Sequence, residues 1–343
     1  MRWKTFALLL IVVLLVGCSE APKDKDKAIK LPELSQADPE GKLILSLGAE
    51  VSILNPILST DSTSSAVEGT IFTGMTKINE KLEVVPDLAK SWKVSEDGKI
   101  WTFYLRKDVK WHNGWPFTSA DVVFTFNSIL NPKVNSVRRS DYIIDGQPIE
   151  FLALDKYTVQ ATLPQPFAPF LVRSGMSVLP KHLLAGKDIN RAKFNRQPIG
   201  TGPFMFKDWV TGDHLRVIRN PNYYLGKPLL AEIIFKIIPN ENARLVALEA
   251  GEIDDSSIPP KDYSRMKTAK EINVFEYDSL VYTYLGFNLA NPKFKDKRVR
   301  QALAYATNKK QLVNLIFKGL ASPAYAPSAP ISWAYSDDVA KYS

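Results

Sequence analysis

The chain has 343 residues, 45% of them hydrophobic and 23% charged, which is a globular composition and a length sufficient for two or more domains. Its formal charge of +8 comes from basic residues interleaved with acidic ones, and this excludes a basic stripe for nucleic acid. The single cysteine excludes an internal disulfide.

The first residues predict an export signal. Arg2 and Lys4 precede an apolar run at 6–16, which is much shorter than the ~20 residues that span a bilayer. Cys18 follows this run within the sequence Leu-Val-Gly-Cys, which resembles the lipobox of bacterial lipoproteins. We therefore expect a signal peptide at 1–17 and a lipid anchor on Cys18, which leaves the mature chain with a formal charge of +6.

Residues 18–40 predict a flexible tether between this lipidated cysteine and the folded body. The segment is charged, contains three prolines and shows no hydrophobic period. An N-terminal helix is the alternative, and the prolines disfavour it because they interrupt helical hydrogen bonding.

Hydrophobic periodicity and turn residues predict the elements of the first half of the body. We expect a strand at 43–47, a helix at 66–72, a hairpin with strands at 92–96 and 100–106, and a strand at 157–163. Asp97 and Gly98 indicate the hairpin turn, because this pair favours tight turns between strands. Thr118 and Asp121 predict a capping box, which opens a helix that an Asn-Pro pair ends.

The second half continues the mixture of strands and helices. A glycine-containing turn at 198–203 leads into a strand, and we expect further strands at 215–219, 233–238 and 282–288, with helices at 242–250, after Asp296 and from Asn308 to Gly319. Because strands and helices do not alternate strictly, the order indicates an α/β body with a mixed sheet.

No catalytic motif is visible. The chain has neither a Gly-x-Ser-x-Gly nucleophile motif nor a phosphate loop, and Met205 stands where a third dinucleotide-binding glycine would lie. The three histidines lie far apart without metal-ligand spacing: His112, His182 and His214. We therefore expect a protein that is not an enzyme, needs no cofactor and has no metal site, and we interpret His112 as a packing or surface residue.

Four stretches together resemble one family. They are AKSWKVSEDGKIWTFYLR at 89–106, WHNGWPFTSADVVF at 111–124, PIGTGPF at 198–204 with RNPNYY at 219–224, and YLGFN at 284–288 with FKDKRVRQAL at 294–303. In this order they are similar to the extracytoplasmic solute-binding proteins of family 5, which serve peptide and nickel ABC importers. Many members are lipoproteins, which agrees with the interpretation of Cys18.

The resemblance implies an α/β, periplasmic-binding-protein-like fold of type II, in the three-domain peptide-binding class with mixed sheets. Domain I would be discontinuous, over 41–75 and 165–285, and domain II would cover 76–164. Domain III would begin at 286 and be incomplete at 343, because family members continue well beyond this point.

The resemblance also implies the ligand contacts. Peptide main chain would be held near four consecutive residues, near a serine pair and near a crossover strand: Ser59, Thr60, Asp61 and Ser62; Ser256 and Ser257; Tyr282 and Tyr284. Short polar side chains after an Asn-Pro pair suit an extended ligand, although the same serines could simply cap turns. The family's acidic residue for the amine of the ligand has no counterpart in this chain.

The implied function is that of a substrate-binding lipoprotein of an ABC importer, which captures oligopeptides or dipeptides in an interdomain cleft and delivers them to the permease. A nickel or nickel-chelate binding protein of the same family is the alternative, and a ligand-sensing receptor is another; the missing nucleophile motif disfavours an exported hydrolase. The expected partners are a peptide, the permease and ATPase subunits and, through the lipid, the membrane, but no nucleic acid. We expect a monomer that is extracytoplasmic and lipid-anchored to the bacterial cell membrane, on its periplasmic or cell-surface side.

Overall fold

A computed structural model of the chain describes residues 40–332, 335–336 and 338–342. The predicted signal peptide, Cys18 and the tether up to residue 39 lie outside the described residues. The strands are β1 (Lys42–Leu47), β2 (Thr76–Ile78), β3 (Val84–Pro86), β4 (Ala89–Val94), β5 (Ile100–Leu105), β6 (Ile143–Ile144), β7 (Gln147–Pro148), β8 (Glu150–Asp155), β9 (Thr158–Thr162), β10 (Phe204–Val210), β11 (His214–Arg219) and β12 (Glu232–Ile237). The α-helices are α1 (Ser62–Ile71), α2 (Ser119–Leu130), α3 (Phe170–Arg173), α4 (Lys181–Leu184), α5 (Glu241–Glu249), α6 (Tyr263–Lys267), α7 (Lys297–Ala306) and α8 (Lys309–Ile316).

One four-stranded sheet joins the start of the described chain to its middle. Its order is β1–β12–β11–β10, in which β1 and β12 are parallel and the other pairs are antiparallel. Leu215 and Val217 of β11 are buried and lie opposite Phe235 and Ile233 of β12, as expected for strands with one buried face. The combination of parallel and antiparallel pairs confirms the predicted α/β architecture with a mixed sheet.

A second four-stranded sheet is antiparallel throughout, in the order β4–β5–β9–β8. Its first two strands form the predicted hairpin, and Gly98 in the turn has a φ of +69°, a conformation that glycine adopts without strain. Helix α2 covers the sheet, with Phe126 stacked on Phe151 of β8 at a ring-centroid distance of 4.0 Å. The aromatic pattern of these strands therefore builds a core between one helix and one sheet.

The predicted capping box opens α2. Asp121 Oδ2 accepts the backbone N–H of Thr118 at 3.0 Å, and the helix ends at Leu130, before the Asn-Pro pair. The other oxygen of Asp121 accepts the backbone N–H of Lys181 at 3.0 Å, at the start of α4. One carboxylate thus joins the first turns of two helices.

Two expected elements differ from the structure. The helix expected at 66–72 begins earlier, at Ser62, because Asp61 caps it. The prediction of a strand at 282–288 is wrong. Residues 273–288 form no strand, and none of the described strands pairs with this segment. Farther on, α7 and α8 begin after the predicted caps Asp296 and Asn308.

Within the described part of the chain, no helix combines the length and the apolar character that crossing a bilayer requires.

Candidate functional site

Two of the three predicted ligand regions are connected to the carboxyl end of β1. Asp254 lies beside β1, where its N–H donates to Ile44 O at 2.8 Å and its Oδ2 accepts the N–H of Ile44 at 2.7 Å. A parallel bridge between Leu45 and Asp255 follows. Because this bridge is parallel, the next residues, Ser256 and Ser257, continue towards the end of β1, where the loop at 48–61 also begins.

The same end of β1 contacts the start of α1. Thr63 Oγ1 donates to Glu50 O at 3.2 Å, and the N–H of Ser52 donates to Ser64 Oγ at 3.2 Å. Ligands of α/β sheets commonly bind outside the carboxyl ends of strands, since loops and helix starts supply polar groups there. The candidate site is this edge of the sheet, formed by the carboxyl end of β1, the loop at 48–61 and the start of α1.

The Asn-Pro pair of the loop builds a tight turn. Asn55 is fully buried, and its side-chain amide donates to Asn195 Oδ1 at 2.9 Å. Its backbone carbonyl accepts the N–H groups of Leu58 and Ser59, each at 2.9 Å. The turn fixes the chain just before the predicted ligand-binding residues.

Asp61 is the N-cap of α1, and its oxygens are engaged within the protein. They accept the hydroxyls of Ser52, Thr63 and Ser64 and the N–H of Ser64. Burial alone would raise the pKa of Asp61, but these hydrogen bonds outweigh it and lower the pKa to about 2. The carboxylate therefore stays charged and stabilises the start of the helix.

The other predicted contacts in these two regions differ in their exposure to solvent. Ser59 is fully buried and donates its hydroxyl to Glu68 Oε2 at 2.8 Å. Thr60 and Ser62 are exposed, as is Ser257, while Ser256 is half-buried and donates to Ser257 O at 3.2 Å. Among the predicted serine and threonine contacts, Thr60, Ser62 and Ser257 are therefore the exposed ones.

Tyr282 and Tyr284 lie in the segment without a strand. They are 41% and 76% exposed, and their ring centroids are 5.8 Å apart. Within the described part of the chain, no hydrogen bond or ring contact joins either tyrosine to the loop at 48–61. The first two predicted regions each follow a segment that lies at the carboxyl end of β1, whereas the third has no such connection among the described residues.

Two residues at this edge escaped the sequence analysis. Arg244 of α5 donates from Nη1 to Ile238 O at 2.8 Å, and Nη1 lies 3.3 Å from where a Cβ on Gly48 would stand. Glu68 lies beneath Ser59 and is 5% exposed. The signal for Glu68 was its place on the buried face of α1, with Ser64, Val67 and Ile71.

The glycines at 198–203 allow two backbones to meet. The N–H of Gly202 donates to Ile71 O at 2.8 Å, at the end of α1. A Cβ on Gly200 would lie 1.8 Å from the same oxygen, so that no other residue fits without displacing α1. The motif therefore places the end of α1 against the start of β10.

His112 joins this turn to the segment before α2. Its Nε2–H donates to Gly202 O at 3.0 Å, and its Nδ1 accepts the N–H of Gly200 at 3.1 Å, which defines a neutral tautomer. Burial lowers the pKa of His112 to about 4, although the bond to Gly202 opposes the shift. His112 is thus a packing residue, as its isolation in the sequence indicated.

The described residues contain no group of three or more His, Cys, Asp or Glu side chains that could hold a metal ion.

Comparison with known families gives a match over residues 83–343 to the family described as bacterial extracellular solute-binding proteins, family 5 middle. The chain belongs to this family.

Relatives within family 5 match along most of the chain. The oligopeptide-binding protein AppA of Bacillus subtilis (strain 168) is 33% identical over 342 residues, which are 97% of this chain and 61% of the relative. The dipeptide-binding protein of Escherichia coli (strain K12) is 35% identical over 281 residues, 76% of this chain and 52% of the relative. The chain therefore spans between half and two thirds of the length of these two relatives.

Solved structures of family 5 proteins have the same fold. AppA from Bacillus subtilis in complex with a nonapeptide matches with a TM-score of 0.82, over 88% of this chain and 61% of that one, at 33% identity. NikZ from Campylobacter jejuni in complex with Ni(L-His) matches with a TM-score of 0.79, over 89% and 60%, at 32% identity. The predicted periplasmic-binding-protein-like fold is confirmed.

Proposed function

We propose that this chain is the substrate-binding component of an ABC importer that captures oligopeptides or dipeptides and delivers them to a permease. One observation carries the proposal: the likeness to AppA holding a nonapeptide, at a TM-score of 0.82 over 88% of the chain. The protein acts as a monomer that binds and releases its ligand in an interdomain cleft, without catalysing a reaction.

The candidate site suits peptide main chain. Thr60, Ser62 and Ser257 present hydroxyls that can pair with the amides and carbonyls that all peptides share. Ser59 and Asp61 position this edge from within, and Ser256, Tyr282 and Tyr284 complete the proposed contacts. A neutral hydrogen bond contributes about 0.5–1.5 kcal/mol net, so no single side chain dominates the affinity.

Calorimetric titration with a panel of short peptides tests this function. Changing Thr60 or Ser62 to Ala should weaken every peptide by about two- to tenfold, because each change removes one main-chain contact. Ser140→Ala, at an exposed serine outside this edge, is the matched control and should change nothing. Strong discrimination by side chain at every position, or no peptide binding at all, would contradict the proposal.

A nickel chelate is the second candidate ligand, favoured by the likeness to NikZ holding Ni(L-His). The same titration with nickel and histidine decides between the two. Binding of the chelate with no affinity for any peptide would replace the peptide function.

The proposed three-domain division has support from the sheets. The sheet β1–β12–β11–β10 draws only on residues within 41–75 and 165–285, and the sheet β4–β5–β9–β8 only on residues within 76–164. The segment from 286 contributes α7 and α8, whose apolar side chains remain partly exposed: Val299, Leu303, Leu312 and Ile316.

The proposed location is extracytoplasmic, with a lipid on Cys18 that holds the protein at the bacterial membrane. Changing Cys18 to Ser should release the protein into the soluble exported fraction. Since one acyl chain binds a membrane only marginally, we expect more than one on the mature protein. A Cys18→Ser protein that stays with the membrane, together with a wild type that takes up no lipid label, would contradict the anchor.

A further inference from the structure

Glu68 is a buried carboxyl directly beneath the proposed ligand-binding residues. It is 5% exposed, and its Oε2 accepts the hydroxyl of Ser59 at 2.8 Å. Its other oxygen, Oε1, is buried and has no hydrogen-bond partner among the described residues. Ser59 immediately precedes the exposed Thr60, so this hydrogen bond anchors the chain next to the exposed part of the loop.

Two charged groups act on this carboxyl from different elements. Asp61, at the start of α1, disfavours a second negative charge, whereas Arg138 favours it. Arg138 belongs to the segment whose Val137 N–H donates to Ile57 O at 3.3 Å, and its buried Nε also has no hydrogen-bond partner among the described residues. The hydroxyl of Ser59, which donates to the carboxyl, is uncharged, and the backbone of Asn55 also favours the ionised form.

We propose that Glu68 is a positioning residue for the segment 59–62, and that its carboxyl takes up a proton when a peptide covers this segment. The proposal rests on the proposed peptide-binding function and adds to it a dependence on pH. Glu68 acts through Ser59 and does not itself touch the ligand.

The direction of the effect follows from the cost of burying charge. A peptide that covers Thr60 and Ser62 removes water from above Glu68 and makes its ionised form less favourable. Burial already raises the pKa of Glu68 to about 7, and further burial raises it more. The bound state then holds more protons than the free state, so affinity increases as the pH falls through neutrality. Each unit by which binding raises the pKa makes the affinity at low pH about tenfold greater than at high pH.

Calorimetric titration of the full chain with tetra-alanine tests this directly, since that peptide has no ionisable side chain. Measured between pH 5.5 and 8, the wild type should bind more tightly at the acid end. At pH 7, two buffers with different ionisation enthalpies should report proton uptake on binding. The terminal amine of the peptide has a pKa of about 8 and contributes equally with every variant. Glu68→Gln keeps the shape of the side chain and should lose the rest of both effects, whereas Glu96→Gln, at an exposed turn, should retain them.

A second variant distinguishes a proton-linked role from a purely structural one. Arg138→Gln removes the charge that favours ionised Glu68, so the pH dependence should move to higher pH without disappearing. In the ligand-free wild type, the carboxyl carbon of Glu68 should titrate near pH 7 by carbon NMR, a readout that needs neither a variant nor a peptide.

The outcomes separate this inference from the function on which it rests. Equal affinity at every pH, tighter binding at alkaline pH, or a Glu68→Gln protein with the wild-type profile would overturn the proton-linked role alone. Absence of tetra-alanine binding at every pH would overturn the proposed function, and this inference with it.

Discussion

Replacing His112 with Ala should destabilise the protein through the glycine turn at 198–203. The imidazole makes two hydrogen bonds there: Nε2–H donates to Gly202 O, and Nδ1 accepts the N–H of Gly200. Gly202 O keeps a second donor, the side-chain amide of Asn220 at 3.0 Å. Gly200 is buried, so its N–H is left without an acceptor in the variant.

The loss of stability in the His112→Ala protein can be calculated from these contacts. An unsatisfied buried N–H costs about 1–3 kcal/mol, and the lost bond to Gly202 adds about 0.5–1.5 kcal/mol. The free energy of unfolding should therefore fall by about 2–4 kcal/mol at pH 7.5. His214 is a matched control, because it lies on β11 away from this turn and its replacement by Ala leaves the turn intact.

The pH dependence of the free energy of unfolding gives an independent check on the role of His112. The pKa of His112 is about 4 in the folded protein, below the value of about 6.5 for an unperturbed histidine. The unfolded chain therefore binds more protons between these values, so the contribution of His112 is complete above about pH 6.5 and is lost as the pH falls towards 4. By linkage, its full amplitude is on the order of 3 kcal/mol.

Urea unfolding of the wild type and of the His112→Ala and His214→Ala proteins, at pH 7.5 and pH 5, measures both quantities. The difference in the free energy of unfolding between the wild type and His112→Ala should be smaller at pH 5 than at pH 7.5. A difference below about 0.5 kcal/mol at pH 7.5, or a gap that widens on acidification, would refute the reasoning.

Two further substitutions test other contacts between elements of the fold. Gly200→Ala should destabilise the protein by more than about 3 kcal/mol or prevent folding, since the new Cβ would lie 1.8 Å from Ile71 O; normal thermal unfolding would contradict this close approach. Asp121→Ala should lower the free energy of unfolding by about 2–4 kcal/mol, because the N–H groups of Thr118 and Lys181 lose their acceptor. An unchanged denaturation midpoint would show that water replaces the carboxylate at both helix starts.

Local signals in the sequence predicted most of the elements correctly. The hairpin around Gly98, the capping box of α2 and the caps of α7 and α8 were all readable, because each depends on a few neighbouring residues. The strand expected at 282–288 failed for the opposite reason. Its alternating apolar residues satisfy the period of a strand, but a strand also needs a partner, and pairing is not a local property.

The ligand-binding role of the hydroxyl-rich run after the Asn-Pro pair stays a prediction. The sequence did not indicate which side chains of this run are buried and which are exposed. Asp61 serves α1 as a cap and Ser59 is buried against Glu68, because the helix begins four residues before the expected start. The helical period places Glu68 on the buried face, yet the electrostatic effect of Arg138 on its carboxyl depends on the tertiary fold.

The parallel pairing of β1 with β12 also determines the order in which the chain can fold. Lys42 lies opposite Glu232, so this sheet closes over 190 positions, whereas the widest pairing in the antiparallel sheet, Ile100 with Thr162, spans 62. Closing the longer loop costs more entropy, and contacts between distant residues form more slowly. The antiparallel sheet can therefore assemble first, while β1 leaves the ribosome long before its partner is made. Until β12 emerges, the apolar strand β1 is an unpaired edge, and an exported chain has to keep it from pairing with the wrong neighbour.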